Sequence, residues 1–273
     1  MYVSEVKSTI KYVDENPLNA LDIMTTLQRI DKYRKTDIRR ISDNDLQYLI
    51  LETLPMVPVD SWSYSEGFKF YRLRKRQQGE IYYNLSKVWY KPAKDVESMG
   101  RLNRIGETIL YASTQISTAF CEMKALPNDQ FALIEFEVKQ SSELRLANVG
   151  LFMEPSEELY LDDRGLVNFK IIRQFLDSEF TRDVCQGTEY LYRVTNILIT
   201  NIIGVQYCMG FRYGSSMITG GINVAIKPGY ADNLLKINYV QNITFLEEEP
   251  EGMKYVFENQ SVKIDDDGSI YYS

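Results

Sequence analysis

The spacing of apolar positions changes along the chain, and the changes mark out its elements. In NPLNALDIMTTLQRIDKY, from Asn16 to Tyr33, the residues Leu21, Met24 and Leu27 recur at helical spacing and predict a core-facing stripe. Asn16 stands at the N-cap. Pro17 stands at the first helical position, where a missing amide proton costs nothing. A second helix is predicted in SDNDLQYLILETL, capped by Ser42, with Leu46, Leu49, Ile50 and Leu54 on its apolar face. The next stretch, PMVPVDSWSYSEG, carries two prolines and several turn formers and reads as a linker.

From about residue 68 the period falls to two. FKFYRLRK, TILYAS, FALIEFEV and SELRLAN read as strands, as do VQYCMGFRYGSS and INVAI further on. Helical patterns interrupt them. STQISTAFCEMKAL is predicted to start at Ser113 or Thr114, and VNFKIIRQFLDSEFT and TEYLYRVTNILITNI are amphipathic. EIYYNLSKVWYKPAKDVESMG is irregular and rich in aromatic residues, which suits a loop over a site. The tail reads as strands with an Asp-Gly turn, and Glu247, Glu248 and Glu249 read as a solvated turn. The expected class is α+β, with a helical region at 1–62 and a larger domain at 63–273.

Charge and composition narrow the chemistry. The net charge is −7, so an anionic ligand must meet a local cluster of cations, and direct nucleic-acid binding is not expected. Histidine is absent, which excludes Ser-His-Asp and Cys-His triads and His-ligated metals. Cys121, Cys185 and Cys208 are far apart, without a C-x-x-C pair; they read as reduced, mostly buried thiols, and no metal is expected. No leader and no long apolar span is visible, so the expectation is a soluble, cytoplasmic protein off the membrane. Catalysis, if there is any, must run on carboxylates, Arg, Lys, Tyr, Ser or Cys.

Several residues then stand out. Arg101 lies on a turn bracketed by Gly100 and Gly106, where its planar fork suits phosphate or carboxylate as well as it suits a plain salt bridge. Asn103 fits as a cap of that turn. Tyr111 is either a core tyrosine with a satisfied hydroxyl or a ring at a cleft. Glu122 falls at the margin of the helix face formed by Ile116, Ala119, Phe120 and Met123, as either a surface charge or a carboxylate reaching a cleft. Ser215 precedes the Gly220-Gly221 pair in a stretch that is either a phosphate-contacting loop or an ordinary hairpin.

Taken together, these residues follow a pattern. From Gly100 to Glu122 the chain reads G-R-x-N-x-x-G-x-x-x-L-Y-x-S-x-x-x-x-T-A-x-x-E, and Tyr213-Gly214-Ser215 is followed by Gly220-Gly221-Ile222-Asn223. This resembles the RES domain, over roughly 68–230. The resemblance implies a split, twisted sheet with flanking helices, like that of ADP-ribosyltransferases, preceded here by a small helical region. It implies an NAD-consuming toxin that cleaves the nicotinamide–ribose bond with phosphate or water, or else a mono-ADP-ribosyltransferase. A binding module on the same fold is a further alternative. It implies Glu122, Arg101 and Tyr111 as catalytic residues, and Arg72 (with Arg74 as second option), Ser215 and Asn223 as NAD-binding. Inorganic phosphate is the possible co-substrate. A small helix-turn-helix antitoxin is the implied partner, and a homodimer is possible. Where the family carries proline between Tyr and Ser this chain has Gly214, which leaves Ser215 and Ser216 as alternatives.

Overall fold

The computed structural model describes residues 16–54, 59–151, 154–155, 159–202, 208–249, 252–265 and 267–273. Among these the protein is mixed α+β, with seven α-helices and a ten-stranded mixed sheet. The chain divides into two compact units, the described residues of 1–60 with 149–205, and those of 61–148 with 206–273. The segment 149–205, placed by sequence inside the larger domain, clusters with the N-terminal helices.

The first unit is helical. α1 (Pro17–Ala20) is a single turn, with Asn16 at its N-cap accepting from the Leu18 amide. The chain then restarts instead of continuing. Asp22 accepts from the Thr25 amide and caps α2 (Ile23–Lys35). This second cap resets the helical phase, so the expected stripe of Leu21, Met24 and Leu27 is not the buried one. Met24 and Leu27 are 60% and 42% exposed, and Thr26, Ile30 and Tyr33 face inward. α3 (Asp43–Thr53) starts at Ser42 as expected and buries Leu46, Leu49, Ile50 and the capping Leu54. α5 (Asp163–Phe180) begins four residues before the predicted stretch because Asp162 caps it through the Gly165 amide. The following amphipathic stretch is not one helix: 3-10 turn Glu189–Leu191, α6 (Tyr192–Ile197) and π turn Leu198–Ile202 succeed one another.

The second unit holds the sheet. Its strands are β1 (Ser61–Ser65), β2 (Lys69–Arg76), β3 (Leu110–Ser113), β4 (Gln130–Val138), β5 (Glu143–Asn148), β6 (Gly210–Gly214), β7 (Ile222–Ile226), β8 (Leu235–Glu249), β9 (Gly252–Ile264) and β10 (Ile270–Tyr272). Their order is β1-β5-β6-β7-β3-β2-β4-β8-β9-β10. All neighbours are antiparallel except β5 and β6. Part of the expected linker is therefore strand β1, paired to β5 from Ser61 to Ser65. The acidic run is no turn: Glu247, Glu248 and Glu249 end β8 and pair with β9, where Lys254 reaches Glu247 and Glu249.

Period-two alternation divides the core between the two faces. Phe70, Leu110, Ala112, Ala132, Ile134, Phe136, Val224 and Ile226 pack in one cluster. Phe131, Leu133, Leu73, Ile243 and Phe245 pack in the other, against Ala119 and Phe120 of α4 (Ile116–Glu122). Seven residues do not hold a helix in isolation. Phe120 anchors α4 by packing its ring 5.0 Å from Phe245 and 5.6 Å from Tyr255, edge-on to Phe131 at 5.9 Å. The N-cap of α4 is Gln115, because Ser113 and Thr114, the predicted starts, are still paired to β7. α7 (Pro228–Leu234), which sequence did not predict, begins on Pro228 and leads into β8.

Candidate active site where two strands part

β2 and β3 are neighbours at a single register position, Tyr71 with Ser113. β2 runs its full length along β4 instead. Arg72 lies just past the last shared position. Its Nη1 donates to the Tyr111 carbonyl at 3.0 Å, while its Nε is shut off from solvent without a hydrogen-bond partner. Burial, reinforced by the like charge of Arg74, pulls the guanidinium down to about 10. Among the described residues no carboxylate pairs with it.

Two hollows meet at this gap, both lined by Arg72 and Tyr111. One, of about 210 Å³, adds Tyr71, Ser113, Glu122, Tyr213 and Asn223. The other, of about 230 Å³, adds Lys91, Glu97, Gly100, Asn103 and Glu107 from the irregular segment and the turn after it. That irregular segment is tied down by Asp232, which accepts from Trp89 Nε1 at 2.9 Å and Tyr90 Oη at 2.6 Å.

Glu122 is the last residue of α4 and stands over the first hollow. Its Oε1 accepts from Ser215 Oγ and from Asn223 Nδ2, each at 2.6 Å. Oε2 accepts from no described residue, so one oxygen of this exposed carboxylate at the rim of the hollow is braced and the other is left open. Ser215 is itself held: its Oγ also accepts from the Met217 and Ile218 amides, at 3.0 and 3.3 Å, and its own amide donates to the Gly221 carbonyl. Of the two serines, Ser215 is thus the one that reaches Glu122, with no proline needed. Gly221 lets this loop lie against α4, since a Cβ there would fall 2.6 Å from Ile218 Cγ2 and 3.0 Å from Thr118 Oγ1.

Tyr111 lends its ring to both hollows, and its hydroxyl holds the turn. It accepts from the Leu102 amide at 2.8 Å and donates to Asn103 Oδ1 at 2.9 Å. Gly100 is required there, because a Cβ would sit 2.3 Å from Asn103 Oδ1 and 3.0 Å from the Tyr111 hydroxyl. Arg101 rides on this turn, half-buried, and lines neither hollow. Glu122, Ser215, Asn223, Tyr111 and Arg72 are therefore gathered at one place, and Arg101 stands beside it. Arg74 instead places its guanidinium 5.2 Å over the Tyr82 ring.

Ser113 belongs to the site and was missed. It is 4% exposed, faces Asn223 across the β3–β7 pair and donates to Asn223 Oδ1 at 2.7 Å. The signal was present: Tyr111 and Ser113 alternate onto the same face of TILYAS. The cysteines form no disulfide, and the expected burial is not seen; Cys185 is exposed, Cys121 and Cys208 half-buried. Among the described residues no cluster suits a metal ion, and no helix is long and apolar enough to cross a membrane. No protein-family model matches the chain, and no curated protein matches it.

Proposed function

We propose that the protein consumes NAD, cleaving the nicotinamide–ribose bond with phosphate or water as the acceptor, as the RES resemblance implies. One observation carries the proposal: a half-buried guanidinium without a carboxylate partner, its Nε shut off from solvent, and a braced carboxylate line the same hollow. A partly desolvated cation without a counter-charge is stabilised by an anion from outside, and the NAD pyrophosphate is such an anion. The two hollows sharing Arg72 and Tyr111 suit a ligand with two halves joined by a charged link.

The chemistry fits a protein without histidine. Nicotinamide is a cationic ring in NAD and leaves neutral, taking the electrons of the broken C–N bond, so no general acid is needed. Positive charge develops on the ribose, as in glycoside cleavage. The open Oε2 of Glu122 offsets that charge or accepts from a ribose hydroxyl. A carboxylate already held by two donors does this without reorganising. Tyr111 presents its ring while its hydroxyl steadies the Arg101 turn, and Arg101 approaches the phosphates from beside the hollow. On this reading the sheet that parts between β2 and β3 is of the ADP-ribosyltransferase type, a small helix-turn-helix protein is the fitting inhibitor, and the protein works in the cytoplasm.

The test is NAD consumption by purified protein with and without inorganic phosphate. Turnover is expected, falling roughly 10²-fold or more in Glu122→Ala and in Arg101→Ala. A phosphorylated ADP-ribose product that appears only with phosphate identifies phosphorolysis, and turnover without phosphate identifies hydrolysis. Transfer of label from NAD onto a protein would replace cleavage by ADP-ribosyl transfer. Intact NAD with folded protein would end the proposal.

A further inference from the structure

The geometry points to Ser113 as a positioning residue for Glu122, acting through Asn223; the inference rests on the NAD-cleavage reading. Ser113, Asn223 and Glu122 form a chain whose hydrogen-bond directions are fixed from one end. An ionised carboxylate only accepts, so the Asn223 side chain must turn its NH2 toward Glu122 Oε1, as it does at 2.6 Å. Its Oδ1 must then face the other way, into a buried position, where among the described residues the one donor is the Ser113 hydroxyl at 2.7 Å. Asn223 is 4% exposed, so water does not stand in for that hydroxyl. The strand register holds the pair in place, because Asn223 is flanked by Ser113 of β3 and Tyr213 of β6.

Without the Ser113 hydroxyl, Oδ1 is buried and unsatisfied, and rotation of the carboxamide that relieves it takes the NH2 away from Glu122. Ser215 alone then restrains the carboxylate, and the orientation of its open oxygen is no longer fixed from two sides. Although both residues line the hollow, the Ser113 hydroxyl is spent on Asn223 and the Asn223 NH2 on the carboxylate, so the effect belongs mainly on kcat.

Two isosteric replacements test this, since valine and threonine add the same bulk and differ in the hydroxyl. Ser113→Val should lower kcat about tenfold, with KM held within about twofold, and Ser113→Thr should restore kcat. Asn223→Asp sets a second carboxylate against Glu122 Oε1 and should displace the pH profile of turnover to higher pH, because two carboxylates sharing a site do not both ionise readily. The Asn223 side-chain amide signals in an NMR spectrum, which need no turnover, should move in Ser113→Val and stay in Ser113→Thr. Equal kcat in the Val and Thr variants, or Asn223 signals unmoved in the Val variant, overturns the inference. Signals that move as expected in a protein that leaves NAD intact would keep the hydrogen-bond chain and discard the NAD reading.

Discussion

Arg72 reaches across the gap between β2 and β3 to the main-chain carbonyl of Tyr111, 3.0 Å away, and so a charged side chain bridges two strands just beyond the one position at which their backbones pair. A carbonyl satisfies one donor of that guanidinium but does not neutralise its charge.

Arg72→Met should therefore separate function from stability. Removing a partly desolvated charge without a carboxylate partner offsets the loss of its hydrogen bond to Tyr111, so the melting temperature should hold or rise. NAD turnover should fall roughly 10²-fold or more. A marked drop in melting temperature would make Arg72 a structural strut instead.

Tyr111→Phe keeps the ring and removes the hydroxyl that grips Leu102 and Asn103. The buried Asn103 loses a donor, at a cost of about 1–3 kcal/mol. Amide exchange at Leu102 should quicken, and turnover should fall as the Arg101 turn loosens. Unchanged exchange would show that the turn stands without the tyrosine.

Phe120→Ala tests whether packing delivers the carboxylate. Phe120 is 1% exposed, and truncating a buried phenylalanine costs about 3–5 kcal/mol. Helix α4 should lose order first, taking Glu122 with it. Phe120→Leu should keep most of the turnover, at a smaller stability loss of about 1–2 kcal/mol.

A pH dependence follows from Glu135 on β4. Burial pushes its carboxyl up, but hydrogen bonds from Asn238, Lys69 and Tyr239 outweigh burial and hold it below the usual range. A depressed carboxyl stabilises the fold above its unfolded pKa, and the contribution fades as pH falls through the folded one. Glu135→Gln should thus cost about 1–3 kcal/mol at neutral pH. The gap to the unaltered protein should shrink in acid, as both are denatured at successively lower pH. A constant gap would refute the assignment.

Much of the fold was legible because local chemistry decided it. Ser42 and Asn16 cap where their short side chains predict, and FALIEFEV and INVAI lie almost residue for residue on β4 and β7. The stripe on α2 was misread because Asp22 looks like a helix-interior polar residue until its side chain is seen capping Thr25. β1 was hidden because its backbone is ordered by Leu144 and Leu146 of a distant strand, not by its own Ser-rich sequence. At the site, the RES resemblance brought Glu122, Tyr111, Ser215 and Asn223 forward together. It did not reveal that Ser215 and Asn223 both spend a donor on Glu122, since that depends on a loop and a strand meeting the end of α4. The partial desolvation of Arg72 was equally invisible, because a strand pattern does not show which neighbour will part from it.

The sheet's order bears on how this protein can be trimmed. β4, the neighbour of Arg72's strand, has its other edge covered by β8, which the chain supplies only after residue 234. A fragment stopping near residue 230 would keep every residue of the motif and leave β4 as a bare, sticky margin with Phe131, Leu133 and Ile243's place uncovered. The run from 149 to 205 also leaves the sheet-bearing unit between β5 and β6 and belongs to the other unit. The unit that carries the candidate site is thus not a contiguous stretch of sequence, and shortening the chain to its motifs removes the scaffold before it removes the site.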